Sequence, residues 1–149
     1  METDYIKKMQ SIRIAKSELI KKENELSQPI LSDISLIGEV YKIFSSIVKN
    51  DNDNRVEKRR KFVFVSVCLF CPKTLMGDRM KKCMRDEIGK VLEMRNKSRI
   101  SSNLSEILLM YKVSEKFSEK MNNIISAVVE ELKVKGLIEI KSSEDIFTR

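Results

Sequence analysis

Residues 62–71 read Phe-Val-Phe-Val-Ser-Val-Cys-Leu-Phe-Cys, and the fold class depends on whether this apolar run forms a helix or a strand. Its β-branched and aromatic side chains are typical of a buried strand, but its length and flanks also fit a buried helix. No second strand-like stretch is visible to pair with it, and a lone strand would leave backbone groups without hydrogen-bond partners. We therefore predict a buried helix that ends at Pro72.

The composition of the 149-residue chain also favours helices. Gly (4) and Pro (2) are scarce, and 42% of the residues are hydrophobic. Lys and Glu, which lose little side-chain freedom in a helix, dominate the charged set, whereas turn-rich β folds draw on Gly and Pro. We predict an all-α fold of five to six helices, with a helix-turn-helix core and an N-terminal amphipathic arm. The predicted divisions are the arm at 1–30, a helical domain at 31–136 and a tail at 137–149.

Apolar spacing and capping residues predict the bounds of the other helices. These helices cover residues 5–26, 32 or 33 to 48, 78–94, 98–111 and 114–135, with loops at 50–54, 73–77 and 95–98. Gly136 is expected to cap the last helix, and residues 137–140 fit either a short strand or a tail. The arm has apolar residues at mixed three- and four-residue steps, so it could fold back on the domain or pair with a second copy as a coiled coil.

The net charge of +7 is concentrated in the middle of the chain. Residues 1–54 carry −1, residues 55–99 carry +9 and residues 100–149 carry −1. A concentrated excess of cations is typical of a surface that binds a polyanion. Aromatic side chains that could stack on single-stranded bases are few and are expected to be buried, so duplex DNA is favoured over RNA.

Residues 84–111 have the pattern of a helix-turn-helix, in which two helices with buried stripes flank a short turn. The first stripe contains Ile88, Val91 and Leu92, and the second contains Ile100, Leu104, Ile107 and Leu108. Short polar and long cationic side chains suit base edges and phosphates. The residues predicted to approach the major groove are Lys97, Arg99, Ser101, Ser102 and Asn103. Those predicted to hold flanking phosphates are Lys58, Arg59, Arg60, Lys61, Lys81 and Lys82.

Part of this pattern resembles the helix-turn-helix of the C-terminal domain of the bacterial replication initiator DnaA and, more loosely, other bacterial and phage regulators. The matching residues are Ile88-Gly-Lys-Val-Leu92, a basic turn and Ser101-Ser-Asn-Leu104, preceded by the run from Arg60 to Cys71. The resemblance covers about 50 residues and implies a helix-turn-helix fold and DNA contact. In those initiators the turn carries a basic residue, an acidic residue, His and Thr. This chain has neither His nor Asp there, so the resemblance does not imply the initiator's base-reading set or its activity.

The three cysteines suggest two other kinds of functional site, a redox site and a metal site. Cys68 and Cys71 have the CxxC spacing of a redox site, but the prolines and the helical sequence after Pro72 do not fit a thioredoxin-type fold. A metal site with Cys83 would lack a fourth ligand from His, because the chain has none. We expect buried cysteines that act as small apolar residues, with no metal and no cofactor.

The sequence as a whole predicts a DNA-binding protein rather than an enzyme, most simply a transcriptional regulator of a bacterium or phage. The absence of His removes the commonest general base, and we assign no catalytic residue. The expected partners are double-stranded DNA and a second copy bound through the N-terminal helix. No apolar run is long enough to span a membrane, and we expect a cytoplasmic location. The alternative is a non-enzymatic helical protein-interaction module that acts through its N-terminal amphipathic helix.

Overall fold

The computed structural model describes residues 2–138, and within them six α-helices and two short 3-10 turns form the regular structure, without a strand. The helices are α1 (Glu2–Leu26), α2 (Ile37–Ile47), α3 (Arg55–Phe70), α4 (Lys82–Val91), α5 (Ser98–Val113) and α6 (Glu115–Val134). The 3-10 turns cover Ile34–Leu36 and Pro72–Met76. The predicted all-α class with five to six helices is confirmed. No helix in the described part is both long and apolar enough to cross a bilayer.

Helix α3 lies at the centre of the domain. All ten of its residues from Lys61 to Phe70 are buried. Helices α2, α5 and α6 pack against it. A helix covered on every side needs apolar residues all round rather than along one stripe, and this explains the unbroken run at residues 62–71. The helical interpretation of that run is confirmed.

Aromatic side chains join α3 to the helices on either side. The ring of Phe62 meets Tyr41 edge-on at a centroid distance of 4.8 Å and lies 5.5 Å from Phe44, both on α2. Phe64 stacks on Tyr111 of α5 at 5.3 Å. Such pairs add to the free energy gained by burying the rings, so α2 and α5 are both fixed against α3.

The predicted loop at residues 50–54 lies between α2 and α3. Its last residue, Asn54, caps α3 by accepting a hydrogen bond from the Glu57 N–H at 2.9 Å. Asp53 forms an ion pair with the buried Lys61. Asp51 lies 3.6 Å from the Lys120 ammonium of α6. The loop therefore connects the end of α2 to both α3 and α6.

Helix α1 is an arm whose side chains from Asp4 onward are not buried on the domain. Every residue from Asp4 to Leu26 is exposed. The chain joins the domain just after α1, where the N–H groups of Ile30 and Leu31 both donate to the Leu69 carbonyl at 3.0 Å. That carbonyl is in the last turn of α3, where helix geometry provides no intrahelical donor. The large apolar side chains that α1 exposes are Tyr5, Ile6, Met9, Ile12, Ile14, Leu19, Ile20 and Leu26.

Several helix bounds differ from the prediction. Helix α4 was expected at 78–94 but covers Lys82–Val91, because Lys81 is extended (ψ 145°) and Glu93 is left-handed (φ 54°). Helix α5 continues two residues beyond 111, and α6 begins after its cap Ser114. Gly136, with φ 72°, follows the end of α6 as predicted. Residues 139–140 of the predicted strand or tail, and the tail as far as 149, lie outside the described residues.

Candidate nucleic-acid interface

Helices α4 and α5 approach each other closely at Gly89. A Cβ at this position would lie 3.3 Å from Lys97 Cγ and 3.4 Å from Ile100 Cδ1. Ile88 and Ile100 are fully buried on the same side of this contact. A glycine inside a helix is unfavourable unless it has a packing role, and this approach supplies one.

The second residue of the connection between α4 and α5, Glu93, has a left-handed backbone conformation. The Glu93 N–H donates to the Lys90 carbonyl at 3.3 Å and the Met94 N–H donates to the Gly89 carbonyl at 2.9 Å. This pair of bonds is a Schellman motif, in which Gly is the usual left-handed residue. Helix α6 ends in the same motif with Gly136 at that position. The connection covers residues 92–97 and is therefore longer than the predicted turn at 95–98. It is also longer than the turn of three to four residues that is typical of a helix-turn-helix.

We expect Glu93→Gly to stabilise the protein by about 0.5–1 kcal/mol. The substitution relieves the left-handed strain of a residue with a Cβ, and the greater freedom of glycine in the unfolded chain offsets part of that gain. Urea denaturation of the variant and wild type measures the difference. A matched control is Lys90→Gly, in the last turn of α4, which should cost about 1 kcal/mol because its backbone is helical. Destabilisation by both substitutions would show that Glu93 has a favourable contact that outweighs its backbone strain.

The first two turns of α5 present a polar outer face. Arg99, Ser101 and Ser102 are exposed, while Ile100 and Leu104 on the opposite side are buried. The Asn96 side chain begins the helix by accepting a hydrogen bond from the Ser98 N–H at 3.1 Å. No ion pair within residues 2–138 involves Arg99. The outer face at this end therefore has a cation and two hydroxyls available for a ligand.

Two other residues of the predicted base-reading set have different surroundings. The Lys97 side chain runs past Gly89, and its ammonium lies 3.1 Å from the Asp86 carboxylate of α4. Asn103 is half-buried at the edge of the face that packs on the domain. Of the five predicted residues, Arg99, Ser101 and Ser102 are exposed around the first turns of α5, Lys97 is paired with Asp86, and Asn103 is half-buried.

The four predicted phosphate ligands on α3 contact four different parts of the domain. Arg59 Nη2 donates to the Leu92 carbonyl at 3.2 Å, and Arg60 forms an ion pair with Glu106 of α5. Lys58 Nζ lies 5.4 Å from the centre of the Tyr41 ring. Lys61 is buried against Asp53 and cannot reach a ligand at the surface without leaving that pair. Much of the positive charge counted at residues 55–61 thus has a structural role inside the domain.

The remaining two predicted phosphate ligands, Lys81 and Lys82, are exposed at the start of α4. Neither forms an ion pair with another described residue. Sequence reasoning did not assign Arg95, which is exposed in the connection before α5. Its position in a polar turn beside the predicted recognition helix was the signal that could have identified it.

The far end of α5 has a different surface, which the sequence pattern did not single out. Leu109, Met110 and Val113 are exposed there, with Val113 at 74%. They follow Ser102 at helical spacing, so the outer face of α5 changes from polar to apolar along its length. The exposed hydroxyls at Ser101 and Ser102 therefore lie in the N-terminal half of α5, apart from the apolar residues near its end.

Two of the three cysteines have raised pKa values, and the third, Cys83, is exposed rather than buried as expected. Burial raises the pKa of Cys68 to about 12, and the nearby Cys71 adds to the rise. Burial also raises the pKa of Cys71, despite a hydrogen bond with Thr74 and the charge of Lys81. A redox thiol requires a lowered pKa instead. Cys68, Cys71 and the exposed Cys83 are free thiols, and no group of three potential metal ligands occurs within residues 2–138.

Comparison with known proteins gives no relative: no family model, no curated protein and no solved structure matches this chain. The resemblance to the DnaA C-terminal domain thus depends on the quoted residues alone.

Proposed function

We propose that this protein binds duplex DNA through a helix-turn-helix formed by α4 and α5, as a transcriptional regulator of a bacterium or phage and not as an enzyme. The observation that carries the proposal is the outer face at the start of α5, where Arg99, Ser101 and Ser102 are exposed together. A recognition helix meets base edges with residues of its N-terminal part, and these side chains can donate to and accept from base edges.

In the proposed complex, Arg99, Ser101 and Ser102 approach bases in the major groove. Lys81, Lys82 and Arg95 hold phosphates on either side, since they are exposed and make no ion pair in the described part of the chain. The start of α5 adds the positive end of a helix dipole, which favours a phosphate nearby. Arg60 and Lys61 of α3 are not assigned as phosphate ligands, because each is paired with an acidic side chain of the domain.

Salt dependence is the first test of DNA binding. Fluorescence anisotropy with a labelled random duplex, at about 50 and about 200 mM salt, should show binding that weakens steeply as salt rises, because bound cations displace counterions from the phosphates. Lys82→Gln should reduce the slope of log K against log salt by about 1, as expected for one lost phosphate contact. Lys112→Gln, at the opposite end of α5, is the matched control and should leave the slope unchanged. No binding at the lower salt concentration would refute the proposal.

Sequence preference is the second test and requires a duplex selected from a random pool. Arg99→Ala should weaken binding to the selected duplex about tenfold, because a bidentate arginine–guanine contact contributes about 1–3 kcal/mol of discrimination. Binding to random duplex should change much less. An equal loss on both duplexes would show that Arg99 holds phosphate rather than reads a base.

The exposed arm supports a second copy of the chain as a further partner. Apolar residues recur at alternating steps of four and three residues along one side of α1, interrupted at Lys16 and Glu23, and this is the spacing of a coiled-coil seam. The seam residues are Tyr5, Met9, Ile12, Lys16, Leu19, Glu23 and Leu26. Most helical stability in proteins comes from tertiary packing of an amphipathic face, which α1 lacks in the single chain, so a partner along this seam would stabilise it. We propose a parallel or antiparallel two-stranded coiled coil between two copies.

Paired substitutions on α1 test the homodimer. Ile12→Asp places a charge in the seam and should convert the dimer to a monomer in sedimentation velocity, with loss of helical circular dichroism. Ile14→Asp makes the same change on the opposite side of α1 and should leave the dimer intact. A wild-type monomer at all accessible concentrations would refute the homodimer and favour the alternative function, a protein-interaction module whose arm binds a different protein.

A further inference from the structure

A small cavity lies where the start of α3 meets the connection between α4 and α5. Its volume is about 220 Å³. Its lining residues are Tyr41, Arg55, Lys58, Arg59, Val91, Leu92 and Glu93. Three of these side chains are cationic and one is anionic, so the lining has a net charge of +2. This is a different surface from the outer face of α5.

Two of the cations are held in position by contacts that leave donors free. Arg59 Nη2 donates to the Leu92 carbonyl at 3.2 Å, which uses one of the five N–H groups of the guanidinium. The Lys58 ammonium lies 5.4 Å from the centre of the Tyr41 ring, an interaction that uses no hydrogen bond. Their arrangement is therefore fixed before any ligand enters, which reduces the entropy cost of binding.

The third cation and the backbone add to the positive potential. Arg55 is the first residue of α3, a helix of 16 residues whose positive dipole end lies here. Arg55, Lys58 and Arg59 form no ion pair with another described residue. Glu93, the opposing charge, is exposed on the left-handed turn of the connection. The cations are thus available to an anion of higher charge than a carboxylate.

We propose that this cavity binds the terminal phosphate of a small phosphate monoester. A monoester is close to doubly charged at neutral pH, which matches the net charge of the lining, and its three terminal oxygens can accept from arginine and lysine together. A DNA backbone phosphate has a single charge and two ester links, so it matches the net charge of the lining less well. The inference goes beyond DNA binding and does not depend on it.

Calorimetry with the full-length protein and ribose 5-phosphate as the probe tests the proposal. Binding should be saturable and at least about tenfold tighter than binding of dimethyl phosphate, which has one charge, at matched ionic strength. Lys58→Gln and Arg55→Gln should each weaken it about tenfold, the loss expected for one charge-assisted hydrogen bond. Lys49→Gln, an exposed lysine near the end of α2, is the control and should bind as wild type does.

Other outcomes overturn the proposal. These are no saturable binding of ribose 5-phosphate, equal binding of dimethyl phosphate, or an equal loss in the Lys49 variant. Amide NMR shifts at Arg55 and Lys58 distinguish the two phosphate sources: a shift with ribose 5-phosphate supports the cavity as proposed. A shift only with a duplex lacking terminal phosphates assigns these cations to the DNA backbone instead. Duplex binding by Lys58→Gln is measured separately, so failure here leaves the DNA proposal to its own test.

Discussion

Asp53→Asn should destabilise the domain by about 3–5 kcal/mol. The side chains of Lys61 and Asp53 are 6% and 14% exposed, so the substitution leaves an ammonium buried without its counter-charge. Removal of one partner of a buried pair costs this much because desolvation of the remaining charge is no longer compensated. Urea denaturation at pH 7 measures the loss.

Two further variants separate loss of a partner from loss of packing. Lys61→Met leaves the buried Asp53 carboxylate without its counter-charge and should also destabilise the domain, whereas the double variant removes both charges and should recover most of the stability lost in Asp53→Asn. Asp51→Asn in the same loop is the matched control. Its partner Lys120 is 47% exposed, and such surface pairs contribute about 0–1 kcal/mol. Equal losses from the two loop substitutions would contradict the assigned burial of Lys61.

The contribution of Asp53 to the free energy of unfolding should also depend on pH. Burial alone would raise the pKa of this carboxyl, but the hydrogen bond and charge of Lys61, with smaller contributions from Glu57 and Lys120, lower it overall. A carboxyl whose pKa is lower in the folded state stabilises that state above its unfolded pKa, and the stabilisation disappears as pH falls through the folded value. The difference in free energy of unfolding between wild type and Asp53→Asn should therefore shrink below about pH 4.

Phe62→Ala should cost about 3–5 kcal/mol. The ring is fully buried and touches Tyr41 and Phe44, so its removal leaves a cavity between α2 and α3 and ends two aromatic contacts. A loss of this size is a large fraction of the total stability of a typical domain. Thermal denaturation measures it. Phe62→Leu keeps most of the volume and should lose less than half as much, whereas equal losses would mean that the aromatic contacts outweigh the cavity.

The sequence predicted the helical class, and the packed faces of α4 and α5, because these depend on local periodicity. Ile100, Leu104 and Ile107 recur at helical spacing, and all three are buried. The end of α4 could not be predicted, since it depends on a left-handed Glu93 where a glycine or asparagine would have been the usual signal.

Periodicity within one helix predicted which side chains are exposed, but it could not show contacts between distant parts of the chain. Arg99, Ser101 and Ser102 are exposed because their neighbours on the same helix fill the opposite face. Arg59 and the Leu92 carbonyl that it contacts are 33 residues apart, and no periodicity indicates such a pair. Arg60 and Lys61 looked like surface ligands because sequence shows charge but not the acidic partners, Glu106 and Asp53, that tertiary structure supplies.

The complete burial of α3 has a consequence for the unfolded chain. Residues 62–71, which the folded domain covers on every side, are then an uninterrupted segment of high β propensity, without charge or proline, of the kind that self-associates into cross-β aggregates. Arg59, Arg60 and Lys61 directly before it and Pro72 directly after it oppose such association by repulsion and by blocking strand extension. Arg59, Arg60 and Lys61 contact neighbouring parts of the domain in the native state. In the nascent chain, before those parts have folded, the same three cations oppose aggregation of the segment that follows them.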